Sequence, residues 1–206
     1  MIKRTQFLTI ILCLFISLCA LSSCSLFSPV KMKSATSYVI NRVPDSVPEK
    51  STTAINLLVI EPQANNIYNT LEMAYTTRPY EIGYFANNRW AETPPQMIHP
   101  LIIQTLQKTH YFHSVGAIGT INAYDFILNT QLIQLQQDYS HVPSTVHLVL
   151  RAEIMRANTS RVIATKEFSI TEPIAQNTPY GGVSAVNKAT EQLLQQLAEF
   201  CLQKIR

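Results

Sequence analysis

Leu21-Ser22-Ser23-Cys24 closes an apolar stretch that starts at Phe7, behind Lys3 and Arg4. A basic start, an apolar centre and small residues before a cysteine are the parts of a bacterial lipoprotein export signal, cut between Ser23 and Cys24 after a diacylglyceryl group is attached to the Cys24 thiol. The alternative, a membrane span, is disfavoured by length: about 15 residues at ~1.5 Å each make a helix of roughly 22 Å against a hydrocarbon core of ~30 Å. Residues 1–23 are therefore expected to leave as a signal peptide. Residues 24–36 are expected to form a lipidated tether, and residues 37–206 one water-soluble domain. Diacylglycerol and an N-acyl chain on Cys24 would be the only covalent additions; no dissociable cofactor and no metal is expected. Two or more acyl chains anchor stably where one does not. Ser25 replaces the aspartate that favours inner-membrane retention in enteric bacteria, so the expected home is the periplasmic face of the outer membrane.

Loss of the signal reduces the 16 basic side chains by Lys3 and Arg4 and removes none of the 13 acidic ones, leaving a chain close to neutral. That balance, without a Lys or Arg run, gives no footprint for nucleic acid. Of the four cysteines, Cys13 and Cys19 go with the signal and Cys24 is acylated. Cys201 then has no intrachain partner, and its place on an apolar helical face makes it packing material.

Along the domain, the pattern predicts strands at Tyr38-Val39-Ile40 and 54–60, and a hairpin from the alternating runs 71–75 and 80–84. Further strands are predicted over 111–118, 124–134, 146–156 and 161–170, the last two joined by a turn at 157–160. Thr93-Pro94-Pro95 opens a helix over about 94–109, whose apolar face is Met97, Ile98, Leu101, Ile102 and Leu106. Pro100 lies deeper than the first turn, where a lost hydrogen bond predicts a late start or a bend. After Pro179-Tyr180-Gly181-Gly182 a long final helix carries Val183, Val186, Leu193, Leu194, Leu197, Cys201 and Ile205 on one face. The expected fold is a single α+β domain: a mixed, mostly antiparallel sheet with two main helices packed on one face.

Catalytic signals are thin. His110 and His113 have metal-ligand spacing, but no cysteine or carboxylate near them in sequence completes a tetrahedral set. Ser184 follows Gly181-Gly182 without the G-x-S-x-G elbow that exposes a nucleophile, and the glycine pair reads as an unusual backbone turn. Acidic residues are scattered singly, with no general acid and base pair. The chain is read as no enzyme. The richest stretch is Arg78 to Pro95, which gathers aromatics, arginine and the only tryptophan. Tyr80, Tyr84, Arg89 and Trp90 are the residue types that anchor interfaces. They are equally the types that would hold the hairpin against the helices, with Arg89 paired to a carboxylate.

Ordered motifs then extend over most of the domain: Tyr38-Val39-Ile40, Tyr68 ahead of Leu71-Glu72-Met73-Ala74-Tyr75, and the run from Pro79 to Glu92. Pro94-Pro95, Ala123-Tyr124-Asp125-Phe126, Leu135 to Tyr139, Leu148 to Ala152, Arg161 to Ala164 and Gly181-Gly182-Val183 complete the order. In these the chain resembles the ABC-type transport auxiliary lipoprotein family, which includes the lipoprotein encoded beside the paraquat-inducible MCE proteins. One departure is Thr76-Thr77, where an arginine is expected soon after the tyrosine. The resemblance implies a non-catalytic periplasmic component of a transport system for lipid or another hydrophobic solute, in which an ATPase and permease work with an MCE-domain partner. The lipoprotein would dock that partner at the outer membrane, and a homo-oligomer is compatible with it. A rival reading is a periplasmic carrier that holds an acyl chain in an apolar groove. A periplasmic hydrolase is the weakest.

Overall fold

The computed structural model describes residues 6–8 and 34–206. Ser23, Cys24, the predicted cleavage point and most of the tether lie outside the described residues. Ala35–Arg206 form one compact unit. Among the described residues no helix is long and apolar enough to cross a membrane.

The spine of the sheet is β7 (Phe126–Asp138), flanked on one side along its whole length by the antiparallel β8 (Thr145–Arg156), which in turn pairs with β9 (Arg161–Pro173). Alternation dictates this ladder. Phe126, Leu128 and Leu132 of β7, Val146, Leu148, Leu150, Ala152 and Ile154 of β8, and Phe168 and Ile170 of β9 all point to one face and are buried there. At about 1.5–3 kcal/mol per large apolar side chain removed from water, that face is the main stabilising layer. The opposite face carries Gln131, Arg151, Glu153 and His147, as the register requires.

Along its other side β7 takes three parallel partners in succession: β2 (Asn56–Val59), β3 (Gln63–Ala64) and β4 (Glu72–Thr76). The sheet thus forks. At one end β2 continues into β6 (Ser114–Gly116) by parallel pairing. At the other, β4 pairs antiparallel with β5 (Gly83–Trp90), whose far edge takes β1 (Thr36–Tyr38) in parallel. The sheet is mixed: the long ladders are antiparallel and the parallel pairings are short.

Two helices cover the apolar face. α1 (Pro94–Lys108) packs on β2 and β6, and α2 (Pro179–Lys204) on β8, β9 and α1. Phe168 meets Phe200 of α2 edge to face with ring centroids 5.8 Å apart. α1 starts at Pro94, so the late start predicted from Pro100 is not realised. Pro94 and Pro95 occupy first-turn positions where a missing N–H costs nothing, and Thr93 donates from its backbone N–H to Gln96 Oε1 at 3.2 Å. Pro100 is exposed and, having no N–H, leaves the Gln96 carbonyl without its helical donor.

Several boundaries differ from the sequence expectation. The first strand sits at Thr36–Tyr38 rather than 38–40, because register with β5 sets it and Tyr38 O accepts the Ala91 N–H at 2.7 Å. The strand expected over 111–118 shrinks to Ser114–Gly116. Tyr111 and Phe112 are core plugs instead, Tyr111 donating its hydroxyl to Ile205 O at 2.9 Å. Gly181 and Gly182 do not form an unusual turn: they lie inside the first turn of α2, and what requires glycine is close approach. A Cβ on Gly181 would sit 2.1 Å from Gln176 O, and one on Gly182 1.9 Å from Gln137 Oε1.

Candidate functional site

The β4–β5 hairpin carries the four residues singled out from sequence and distributes them over one strand and its turn. Trp90 ends β5 and is 3% exposed, inside the core, with its backbone N–H donated to Leu71 O at 2.7 Å. Arg89, one residue earlier, points outward by strand alternation. It lies opposite Glu72 in the ladder and donates from Nε to Ser37 Oγ of β1 at 3.2 Å. Its partner is thus a hydroxyl rather than the expected carboxylate. Tyr84 is 37% exposed. It neighbours Tyr68, whose phenol pKa is raised by burial first and by Tyr84 second; Tyr68 donates to Gln136 Oε1 at 2.9 Å.

Tyr80 stands apart at the hairpin tip. It is fully exposed and its φ is +67°. For an L residue the left-handed region costs about 1–2 kcal/mol, so something local must hold the turn. Thr76 Oγ1 donates to Arg78 O at 2.7 Å, and Arg78 Nε donates to Glu81 Oε2 across the turn. The tip also forms one wall of a cleft of ≈ 460 Å³, lined by Pro79, Tyr80, Glu81 and Ile82 on one side and Gln136, Asp138, Ser140 and His141 on the other.

The second wall is polar and preset. Burial works against the Asp138 carboxylate, but hydrogen bonds from the Ser140 hydroxyl and N–H, at 2.5 and 2.8 Å, and the nearby His147 and His141 imidazoles leave its pKa lowered. His147 Nε2 is 3.5 Å and His141 Nδ1 3.9 Å from Asp138 Oδ2. Behind the hairpin, Tyr75, Phe85 and Tyr139 pack ring on ring with centroids 4.6 to 6.5 Å apart. Burial pushes the Tyr139 phenol up to about 12, and its hydroxyl donates to the buried Gln137 Oε1 at 2.6 Å. The tip is thereby mounted on a packed aromatic base.

The other sequence candidates are not brought to this place. His110 and His113 lie beside α1 and β6, both exposed; among the described residues no group of three or more His, Cys, Asp or Glu is arranged to hold a metal. Ser184 is on the exposed side of the first turns of α2. Cys201 is fully buried, which pushes its thiol up to about 12 and keeps it protonated.

Sequence reasoning missed Asn187. From mid-α2 its Oδ1 accepts the N–H groups of Asn41 and Arg42 at 3.0 and 3.2 Å, while Nδ2 donates to Val39 O and Val183 O at 3.1 Å each. With the Arg42–Glu191 ion pair at 3.1 Å, it clamps the segment by which the chain enters the domain. An isolated asparagine on a helix carries no periodic signal that could have disclosed this.

A second concavity, ≈ 460 Å³ and apolar, opens on the uncovered face of the sheet between Leu58, Ile118, Ile121, Tyr124, Ile127 and Met155.

A family model described as the ABC-type transport auxiliary lipoprotein component matches residues 38–198. The fold is similar to that of a crystallised protein from Xanthomonas campestris, with a TM-score of 0.70 at 18% identity over 84% of this chain and 96% of that one. It is also similar to a crystallised uncharacterized protein, with a TM-score of 0.66 at 12% identity over 82% of this chain and 99% of the other. No curated protein matches the sequence.

Proposed function

The chain belongs to the ABC-type transport auxiliary lipoprotein family, and from that premise we propose that it is a non-catalytic docking lipoprotein, held by acylated Cys24 at the periplasmic face of the outer membrane, that engages the MCE-domain partner of a lipid-transporting system. The observation that carries this reading is the hairpin tip: a bulky aromatic in a left-handed backbone conformation, fully exposed, on a packed aromatic base. Strain of that kind persists only where the surroundings over-determine it, and it concentrates at functional positions. Tyr80 would insert into the partner, Tyr84 and Ile82 would extend the apolar contact, and Arg89 would border it. Anchoring contributes by concentration: a tethered domain meets a membrane-bound partner at high effective concentration without any added contact. A homo-oligomer would present several tips to one partner, and the mass of the copurified complex would report it.

The test is Tyr80→Gly in the full chain. Glycine accepts positive φ freely, so the fold is spared while the contact is deleted. Crosslinked copurification of the MCE protein should fall by about tenfold, the effect of losing one interface anchor of roughly 1.4 kcal/mol or more. Undiminished copurification would remove the hairpin tip from the interface. Cys24→Ala should still fold but leave the membrane fraction, and a variant that stays in that fraction would refute the anchor.

A second reading, a carrier that holds an acyl chain, is favoured by one observation: the open apolar trough on the uncovered sheet face.

A further inference from the structure

The trough is walled by chain geometry rather than by chance exposure. Leu58 pairs with Ile127, so both point away from the helices. The segment from Ala117 to Tyr124 folds across them. It turns at Gly119, whose φ is +82°, and is pinned by Thr120, which donates from N and Oγ1 to Ala117 O at 3.1 and 2.8 Å. Gly116 permits the approach: a Cβ there would lie 2.4 Å from Thr120 Oγ1. Leu58 is thus enclosed, yet Ile118 on the rim is 74% exposed.

Along β7 and β8 the same face changes character in regular steps. Ile127 is opposite Met155, Asn129 opposite Glu153, and Gln131 opposite Arg151. At about 6.8 Å per two residues, the apolar pair and the Arg151 pair are roughly 14 Å apart. A polar pocket of ≈ 280 Å³, lined by Glu61, Gln63, Gln131, Arg151 and Glu153, adjoins the trough and shares Ile60 and Asn129 with it.

We infer that trough and pocket are the two ends of one site for a zwitterionic phospholipid of the ethanolamine class. An acyl chain lies over Leu58, Ile121 and Ile127, and the headgroup over Glu61, Arg151 and Glu153. This rests on the carrier reading and names its ligand and its place. The head assignment follows from charge. Among the described residues Glu61 and Glu153 enter no ion pair, whereas Arg151 is bound to Glu167 at 3.0 Å and keeps half its side chain exposed. An anionic head would meet two unpaired carboxylates; a cationic one would meet the guanidinium. A head with both signs satisfies both, phosphate on Arg151 and ammonium on the glutamates.

The experiment uses the full chain in vesicles doped with a phospholipid that carries a photoactivatable diazirine in its acyl chain, with either an ethanolamine or a glycerol head. Crosslinked peptides are mapped by mass spectrometry. The ethanolamine probe should label the peptides with Leu58–Ile60, Ile118–Ile127 and Met155. Ile127→Asp should lower that labelling by about tenfold by placing an unpaired charge against the chain. Ile118→Asp, at an exposed position that cannot threaten the core, should lower it in the same direction. The glycerol probe should label the trough several-fold less. Equal labelling by both probes would overturn the head assignment and leave the carrier reading standing. Labels elsewhere on the domain but not in the trough would overturn the site alone. Labels confined to residues 24–36 would overturn both.

Discussion

The β7–β8–β9 ladder and the β4–β5 hairpin are both antiparallel, but they differ in what their exposed turns carry. In the ladder, alternate residues of β7 and β8 are buried together with Phe168 and Ile170 of β9, and the turn at 157–160 is solvent-facing, with Ser160 also at a positive φ of +51°. In the hairpin Met73, Ala74 and Trp90 reach the core, while the tip is exposed, with Tyr80 at a positive φ beside the hydrogen bonds from Thr76 to Arg78 and from Arg78 to Glu81. Where burial supplies the stability, side chains answer to shape. What sets the hairpin tip apart from the ladder's turn, where Ser160 also has a positive φ, is the side chain it carries: a fully exposed tyrosine that adds nothing to the core. The ladder is the body that carries the hairpin, and substitutions in the two should separate stability from docking.

The largest effect is expected from Phe168→Ala. Phe168 is among the largest fully buried side chains and packs on Phe200. Truncating a core phenylalanine costs about 3–5 kcal/mol, a large share of the roughly 5–15 kcal/mol that holds a domain folded. The urea midpoint should fall accordingly, while copurification of the partner at low temperature persists in whatever fraction stays folded. Loss of docking without loss of stability would break the separation.

Gly182→Ala comes next and tests the joint between the two regions. In an ordinary helix interior the change would stabilise by up to about 1 kcal/mol. Here the new methyl meets Gln137 Oε1 at 1.9 Å, and Gln137 is buried and bound to Tyr139, which packs on Tyr75 and Phe85 of the hairpin. Overpacking of about 1–3 kcal/mol should outweigh the propensity gain. Urea denaturation gives the sign, and a more stable variant would show that Gln137 yields.

A smaller, pH-dependent effect belongs to the cleft wall. The folded pKa of Asp138 is lowered, so its contribution is fully present above the ordinary carboxylate value of about 4 and is lost as pH falls through the folded value. Asp138→Asn should therefore be less stable than the parent at neutral pH, and the difference should shrink as the medium is acidified below about pH 4. A difference independent of pH would mean that the carboxylate charge is not what holds Ser140 and the histidines.

These contrasts explain which parts were legible in advance. Both helices were, because apolar residues at helical spacing follow prolines that need no N–H. The hairpin ladder was, because alternation survives over many residues. β7 runs on to Asp138 rather than stopping at 134, and this was hidden by the register shift between Leu132 and Gln134, which breaks the period-two pattern midway. β3, two residues long, offers no pattern at all. Among the candidate residues, sequence located the aromatic stretch but could not sort it: Trp90 went inward because it ends β5 on the core side, and Arg89 outward because it is the neighbour. The glycine pair was visible while its cause was not, since the need for it lies in Gln137, far away in the chain.

The smallest effect on stability, and the sharpest on the comparison, is expected from Tyr80→Gly. Relief of the positive φ gains up to about 1–2 kcal/mol, and the extra freedom of glycine in the unfolded chain returns about 0.4–1 kcal/mol of that. No buried contact is lost, since Tyr80 has none to lose. The variant should unfold within about 1 kcal/mol of the parent, on the stable side if either. A tyrosine whose removal leaves the fold intact or firmer, yet lowers copurification of the partner about tenfold, is there for the partner. If Tyr80→Gly instead destabilises the domain by as much as Gly182→Ala, the tip is part of the body after all, and the distinction between the two hairpins fails.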